Sequence, residues 1–193
     1  MILGITGGTG CGKSTLLAEI EKLGGLVLDC DKIYHQLLTS DPKLLDAISV
    51  RFPGVVAGGI LDRKKLGNMV FSDKNALSDL NKITHSAIKA EVIRRLEAAP
   101  ALAAIDAIAL FESGLAELCD VTVAVTAPEA LRLQRLMARD GITEEYARSR
   151  IRAQHSPAWF RQNCGYVLEN DGDLPTFQGK CLAFFRELGI MKA

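Results

Sequence analysis

The segment GGTGCGKST, residues 7–15, has the residue types and the spacing of a phosphate-binding loop. It matches the pattern G-x-x-x-x-G-K-[S/T] at every fixed position. Glycines let the backbone turn its N–H groups towards a phosphate, the lysine reaches the β- and γ-phosphates, and the serine hydroxyl is a ligand for Mg²⁺. We therefore predict a nucleoside triphosphate site with Mg²⁺ on Ser14, and nucleotide contacts from Gly8, Gly10, Cys11, Gly12, Lys13, Ser14 and Thr15.

Carboxylates follow the next apolar run of the chain. Asp29 and Asp31 come directly after the predicted strand at 26–28. Ligands of parallel α/β sheets bind at the carboxyl ends of the strands, so both side chains should face the phosphate loop. We predict Asp31 as the general base that accepts a proton from an attacking hydroxyl, and Asp29 or Asp31 as a holder of Mg²⁺-bound water. The alternative is that Asp31 only caps the following helix.

Two further acids lie in or near the third predicted strand, at 102–110. Asp106 lies inside its apolar run and Glu112 just beyond its end. A charged residue in such a run is seldom buried without a partner. Each acid is a candidate for contact with metal or substrate, and equally a candidate for a structural ion pair.

Arginines concentrate between residues 132 and 161, where seven of the twelve in the chain give a net charge of +4. Guanidinium groups suit bidentate phosphate contacts and transition-state charge. Arg135 and Arg139 are four residues apart and share a helix face, so we predict Arg135 as catalytic and Arg139 as ATP-binding, in a mobile lid at about 135–163. For most of the seven the alternative is a solvated helix face: Arg132, Arg135, Arg139, Arg148, Arg150, Arg152 and Arg161.

These residues need a scaffold, and the periodicity predicts one. Short apolar strands at 1–6, 26–28, 102–110, 121–125 and 166–168 are separated by segments with helical spacing. Alternating strands and helices predict a three-layer α/β/α fold with a parallel sheet, as in P-loop nucleotide kinases. We predict one domain over 1–193. The helical stretch at about 40–98 is too long for a single crossover and is predicted to be an inserted subdomain.

The composition of the chain argues against two classes of partner, nucleic acids and membranes. Lys and Arg total 23 and so do Asp and Glu, which gives no basic excess for nucleic-acid binding. No apolar run approaches the length of a membrane span. The five scattered cysteines indicate reduced thiols, so we expect a cytoplasmic protein, with its oligomeric state left open. Cys11 lies beside a lysine and a helix N-terminus, which favour thiolate, and we expect a reactive thiol there.

The sequence disfavours a GTPase switch. Asn81-Lys82-Ile83-Thr84 lacks the aspartate of N-K-x-D and lies in a helical pattern, and no aspartate of the chain is followed three residues later by glycine. A motor-type ATPase would need a longer chain. The remaining candidates are kinases of small molecules, such as a nucleoside, a nucleotide or a sugar acid, and a nucleotide-binding regulator with a protein partner.

The chain resembles the dephospho-coenzyme A kinase family over nearly its whole length. The matching segments start with the phosphate loop and continue into the arginine-rich region. They are Thr6–Thr15, Asp29-Cys30-Asp31, Gly59–Arg63, His85, Leu110-Phe111-Glu112, Gln134-Arg135 with Arg139-Asp140, Arg150-Ile151 with Gln154, and Val167–Gly172. Ser86, Ile108 and Cys164-Gly165 depart from the family pattern.

The resemblance implies transfer of the γ-phosphoryl group of ATP, with Mg²⁺, to the ribose 3′-hydroxyl of dephospho-coenzyme A. It implies that the helical insert binds the coenzyme A portion and that Asn170 lines the ATP site; the alternative for Asn170 is that it only begins the turn at Asp171-Gly172. The acceptor-binding residues that it implies are Thr6, Asp29, Asp31, His85, Asp106 and Glu112.

Overall fold

The computed structural model describes residues 1–191. In that range the strands are β1 (Ile2–Thr6), β2 (Leu26–Asp29), β3 (Val56–Ala57), β4 (Ile60–Leu61), β5 (Ala103–Asp106), β6 (Val121–Thr126) and β7 (Tyr166–Glu169). The helices are α1 (Lys13–Lys22), α2 (Cys30–Ser40), α3 (Pro42–Arg51), α4 (Arg63–Phe71), α5 (Lys74–Leu96), α6 (Glu129–Asp140), α7 (Glu144–Arg152), α8 (Pro157–Asn163) and α9 (Leu174–Glu187), with a 3-10 turn at Leu115–Leu118.

Five strands form one parallel sheet in the order β2-β5-β1-β6-β7. The strand that leads into the phosphate loop, β1, is central, and the two strands that end in aspartate are neighbours on one side of it. Asp29 and Asp106 are directly paired in the register of β2 and β5. The prediction of a parallel sheet with helices between its strands is confirmed, and the sheet brings three predicted elements of the site to one edge.

Each face of the sheet has its own apolar core. On one face Leu3 and Ile5 pack with Phe185 of α9. On the other face Leu28 and Ile105 pack with helices of the segment between β2 and β5. Burial on both faces explains why the strands are almost continuously apolar rather than alternating.

The segment between β2 and β5 is mainly helical, as expected, but it also contains a two-stranded antiparallel hairpin, β3–β4, which the sequence did not indicate. The long helix α5 contacts α2, α3 and α4. Among residues 1–191, no helix has both the length and the apolar content needed to cross a bilayer.

The third predicted strand is shorter than expected. The apolar run suggested a strand over 102–110, but β5 ends at Asp106. Beyond it the chain forms tight turns, with the Ser113 amide bonded to the Ala109 carbonyl, and Ile108 is exposed. Asp106 is therefore the last residue of a strand rather than an interior one, and Glu112 lies six residues past the strand end.

Candidate active site

The phosphate loop joins β1 to α1 and requires glycine at two positions for clear physical reasons. Gly7 has φ +133°, and an added Cβ would lie 2.2 Å from the Val125 carbonyl oxygen. Gly12, the N-cap of α1, has φ +93°, and its Cβ would lie 2.2 Å from the Asn170 amide nitrogen. Any side chain at these positions would be strained and would also collide with its neighbours.

Three successive carbonyl groups of the loop are held from outside by side chains. Arg132 Nε donates to Thr9 O at 2.9 Å, and Asn170 Nδ2 donates to Cys11 O at 2.9 Å. Arg135 Nη1 approaches Gly10 O at 3.4 Å, and its Nη2 donates to Asn170 Oδ1 at 3.2 Å. These contacts hold the peptide planes of the loop in place, which is the preorganisation that a phosphate site needs.

A cleft of about 990 Å³ opens in front of the loop and brings most of the predicted site together. Lys13, the first residue of α1, lies on its wall with the ammonium group 3.1 Å from the Gly7 carbonyl oxygen. The other predicted residues that line it are Gly8, Gly10, Gly12, Ser14, Asp29, Asp31, Asp106, Arg135 and Arg139. Thr15 and Cys11 do not line the cleft.

The two carboxylates after β2 have different surroundings. Asp29 is the N-cap of α2: its Oδ1 accepts from the Lys32 amide at 3.0 Å, and its Oδ2 lies 3.2 Å from the Lys32 ammonium. Asp31 is exposed in the first turn of α2, and within residues 1–191 its carboxylate has no hydrogen bond or ion pair. The helix cap considered for Asp31 is thus made by Asp29, which leaves the carboxylate of Asp31 free to accept a proton.

Asp106 lies next to both. Burial raises the pKa of its carboxyl group to about 6, with smaller contributions that lower it from Lys13 and raise it from Asp29 and Asp31. Its Oδ1 is a buried oxygen with no hydrogen-bond partner in the described part of the chain. The orphaned carboxylate oxygen shares the cleft with the Ser14 hydroxyl and two more carboxylates, a donor set made only of oxygen, the kind that Mg²⁺ prefers.

The residues therefore fit a magnesium ion. Over residues 1–191 no group of three or more His, Cys, Asp or Glu side chains has the geometry of a complete metal cage. Magnesium in kinase sites is commonly held by one or two protein oxygens together with phosphate oxygens and water. Ser14 and the carboxylates of Asp29, Asp31 and Asp106 are the residues available to that arrangement.

Replacing Asp106 by asparagine should stabilise the ligand-free protein at neutral pH. Because the folded-state pKa of Asp106 is raised to about 6, the folded state binds more protons than the unfolded state between about pH 4 and 6, so its contribution to stability falls as pH rises through that window. A shift of this size corresponds to roughly 2–3 kcal/mol. Chemical denaturation at pH 4 and pH 7.5, without Mg²⁺, should show a higher free energy of unfolding for the variant than for the wild type at the higher pH only. An equal difference at both pH values would contradict this origin.

A second cavity of about 200 Å³ adjoins the cleft at Asp31, which lines both. His85 of α5 and Tyr34 of α2 line this smaller cavity, together with the turn after β5. Burial lowers the pKa of His85, partly offset by Glu112, so its imidazole is neutral near pH 7. The structure thus brings His85 close to Asp31 but not to the phosphate loop.

Besides Cys11 and Thr15, three predicted residues line neither of these two cavities. Glu112 accepts a hydrogen bond from His155 and lines a surface depression with His85, so of its two alternatives the structure has the pairing with another side chain. Thr6 is fully buried and donates from Oγ1 to Ile108 O at 3.3 Å. Asn170, expected in the ATP site, is buried against the back of the loop.

Arg139 lines the cleft, but its guanidinium group is occupied. It donates to both carboxylate oxygens of Asp140, at 2.6 and 3.0 Å, and Arg150 donates to the same carboxylate at 2.7 Å. Direct ATP contact by Arg139 would require this pair to rearrange or to share its charge.

The structure argues against the thiolate character expected for Cys11. The thiol is 2% exposed, and burial raises its pKa despite the opposing effects of Arg132 and Lys13. Desolvation of the thiolate outweighs the positive neighbours that the sequence made visible.

We accordingly expect Cys11 to be alkylated slowly in the folded protein. Maleimide labelling at pH 7.5, followed by peptide mass spectrometry, should modify Cys11 more slowly than the half-buried Cys164, since only a locally opened loop exposes the Cys11 thiol. The comparison is a strict one, because burial also raises the pKa of the Cys164 thiol, to about 11. Faster labelling of Cys11 than of Cys164 would restore the thiolate interpretation.

Sequence reasoning missed two residues of the loop's support. Arg132 is one of the seven arginines for most of which a solvated helix face is the alternative, yet it is 5% exposed. Gln154 was part of a matching segment without a role, and its Oε1 accepts from both the Thr9 amide, at 2.9 Å, and Arg132 Nη2, at 2.8 Å. The available signal was helical spacing, which places Arg132 one turn before the buried Leu136.

Comparisons with known proteins agree on one family. The family model described as dephospho-CoA kinase (CoaE) matches residues 1–176. A dephospho-CoA kinase of Deinococcus radiodurans is 39% identical over 196 residues, covering 97% of this chain and 92% of the relative. One of Moorella thermoacetica is 36% identical with the same coverage.

Solved structures show the same fold. A Thermus thermophilus protein, TT1252, superposes with a TM-score of 0.82 at 34% identity, with 97% of both chains covered. A dephospho-CoA kinase of Campylobacter jejuni gives 0.69 at 27% identity over 98% of both chains. A shikimate kinase of Bacteroides thetaiotaomicron, at 15% identity and a TM-score of 0.61, shares the fold. From its phosphate loop to its last strand, this chain belongs to the dephospho-CoA kinase family.

Proposed function

We propose that the chain transfers the γ-phosphoryl group of ATP to the 3′-hydroxyl of dephospho-CoA, giving CoA and ADP. The family match over residues 1–176 supports this reaction. The single structural observation that carries it is the position of Asp31, an unpaired carboxylate at the junction of the phosphate-loop cleft and a second cavity. A kinase for a small hydroxyl acceptor needs such a carboxylate between its donor and acceptor sites.

Asp31 is the general base in this proposal. As the acceptor oxygen forms its bond to the γ-phosphorus, the hydroxyl proton passes to the Asp31 carboxylate, and the bond from the γ-phosphorus to the bridging oxygen breaks to release ADP. Lys13 and Arg135 stabilise the negative charge on the transferring group and on the leaving diphosphate. Both residues line the cleft. To contact the phosphates, Arg135 gives up or shares its hydrogen bond to the Gly10 carbonyl.

Magnesium, when bound, supplies charge neutralisation between the β- and γ-phosphates. Ser14 would hold it, with water-mediated support from Asp29 or Asp106. Asp106 is suited to this water-mediated contact because its buried Oδ1 has no hydrogen-bond partner in the described part of the chain.

The acceptor enters from the side of α5. We assign the smaller cavity, with His85 and Tyr34, to the part of dephospho-CoA next to the reacting ribose, and the segment at about 40–98 to its binding. The segment at about 135–163 serves as the lid over ATP, with Arg135 and Arg139 on its cleft side. Glu112 and Thr6 are assigned to support of the turn after β5 rather than to direct contact.

The test is ADP release from Mg-ATP with and without dephospho-CoA. Acceptor-dependent turnover, and a product heavier by one phosphoryl group at the ribose 3′ position, are expected. Shikimate, gluconate and adenosine serve as matched acceptors in the same assay, because small-molecule kinases of this fold differ in acceptor rather than in donor. Turnover with one of these and none with dephospho-CoA would reject the proposal.

A further inference from the structure

Arg132 is a buried cation without an acidic partner. Its residue is 5% exposed, and none of the ion pairs within residues 1–191 includes it. The neighbouring arginines differ: Arg139 and Arg150 pair with Asp140, and Arg148 pairs with Glu129 and Glu144. Of the arginine-rich region, Arg132 is thus the one whose charge is both buried and uncompensated in the described chain.

Its contacts all belong to the phosphate loop and its support. Nε donates to the Thr9 carbonyl at 2.9 Å and Nη2 to Gln154 Oε1 at 2.8 Å. A Cβ on Gly8 would lie 2.3 Å from Nη2, so the guanidinium group lies directly against the loop backbone. It does not line the cleft, and a bound phosphate would be separated from it by the loop.

The buried charge of Arg132 affects the stability of the folded protein with and without a bound nucleotide. A buried guanidinium group without an opposite charge lowers the stability of the ligand-free protein, although its hydrogen bonds reduce the cost. An anion on the other side of the loop would offset that cost through a medium of low effective dielectric. The same charge therefore opposes folding without a ligand and favours the nucleotide-bound state.

We propose that Arg132 is a positioning residue that uses its uncompensated charge, held by Gln154, to strengthen nucleotide phosphate binding from behind the loop. The inference rests on the nucleotide-binding half of the proposed function. Its readout is binding of an ATP analogue in the absence of any acceptor, so a failure to phosphorylate dephospho-CoA would be a separate result.

Two variants neutralise the charge in different ways. In Arg132→Gln the amide nitrogen takes the place of Nε, so the bond to the Thr9 carbonyl is kept while the charge is lost. In Gln154→Glu both acceptor bonds are kept, and a carboxylate is placed 2.8 Å from the guanidinium group. Each variant should weaken the binding of Mg-AMP-PNP, measured by calorimetric titration at pH 8, by about tenfold, the effect of one charge acting across a partly shielded distance.

Thermal stability separates this role from a merely structural one. Without nucleotide, Gln154→Glu should melt at or above the wild-type temperature while it binds more weakly, because the new carboxylate pairs with Arg132. Arg186→Met, an exposed arginine in the last turn of α9 and outside the lid segment, removes one positive charge and should leave binding unchanged. If both neutralised variants bind within twofold of the wild type, or if both lose affinity only in step with a lower melting temperature, the proposal is overturned. If one variant fails to fold, the other variant alone decides the test.

Discussion

Replacing Asp31 by asparagine is expected to slow phosphoryl transfer by roughly 10²–10⁴-fold, the range that general-base catalysis contributes. Asparagine keeps the size of the side chain but accepts no proton. Affinity for Mg-ATP should change little, because the loop backbone and Lys13 form a separate wall of the cleft. Single-turnover kinetics with dephospho-CoA, together with nucleotide titration, would measure the two quantities independently.

Asp29→Asn is the matched control. Asp29 caps α2, and asparagine is also a good N-cap, so this variant should fold with a loss of less than about 1 kcal/mol. If Asp29 organises Mg²⁺-bound water, the activity of the Asp29→Asn variant should recover in part at a higher Mg²⁺ concentration. Because phosphoryl transfer depends largely on positioning and charge, the lower end of the range is acceptable for Asp31. Near-native turnover in Asp31→Asn beside an inactive Asp29→Asn at all Mg²⁺ concentrations would exchange the two assignments.

Local sequence was sufficient for the parts of the site that lie on one strand end and one turn. The glycines of the loop, Lys13 and Asp31 follow from spacing within a short segment, and the parallel sheet then forces them to the same edge. Asp106 is the exception: the apolar run placed it inside a strand over 102–110, and its pairing with Asp29 at the strand ends follows from strand order. Strand order itself is a tertiary property that periodicity did not supply.

Burial was the property that the sequence concealed. Arg132 and Cys11 each have a charged or polar local context, and both are almost fully buried. Arg132 of α6 lies against the backbone of the loop, and Cys11 packs in the apolar core that includes Ala127 and Phe177. Asn170 is far from the loop in sequence, and only the pairing of β7 with β6 brings it to the Cys11 carbonyl. The extent of β5 was misjudged for a similar reason, since apolar residues of a tight turn and of a strand look alike without periodicity.

Replacing Lys13 by methionine is the other change with a large expected effect. Lys13 is the first residue of α1, and its ammonium group lies 3.1 Å from the Gly7 carbonyl oxygen, at the loop side of the cleft. Loss of one preorganised group that stabilises developing charge commonly costs about 10²–10³ in rate, and we expect at least that loss for phosphoryl transfer. Unlike Asp31→Asn, this variant should also bind Mg-ATP more weakly, because the lysine contacts ground-state phosphates as well.

The environment of Asp106 gives Lys13→Met a second, independent signature. Lys13 is the main neighbour that lowers the pKa of Asp106, against burial and two nearby carboxylates. Without the ammonium group the pKa of Asp106 should rise above about 6 in the absence of Mg²⁺, so the free energy of unfolding measured without Mg²⁺ should fall more between pH 4 and neutral pH than in the wild type. Lys13→Arg keeps the charge and should retain the wild-type pH profile, although its planar group fits the loop less well. Lys22→Met, at the far end of α1, controls for loss of a lysine from the same helix. A Lys13→Met enzyme with unchanged ATP affinity and only a small loss of rate would show that the loop backbone alone stabilises the transferring group.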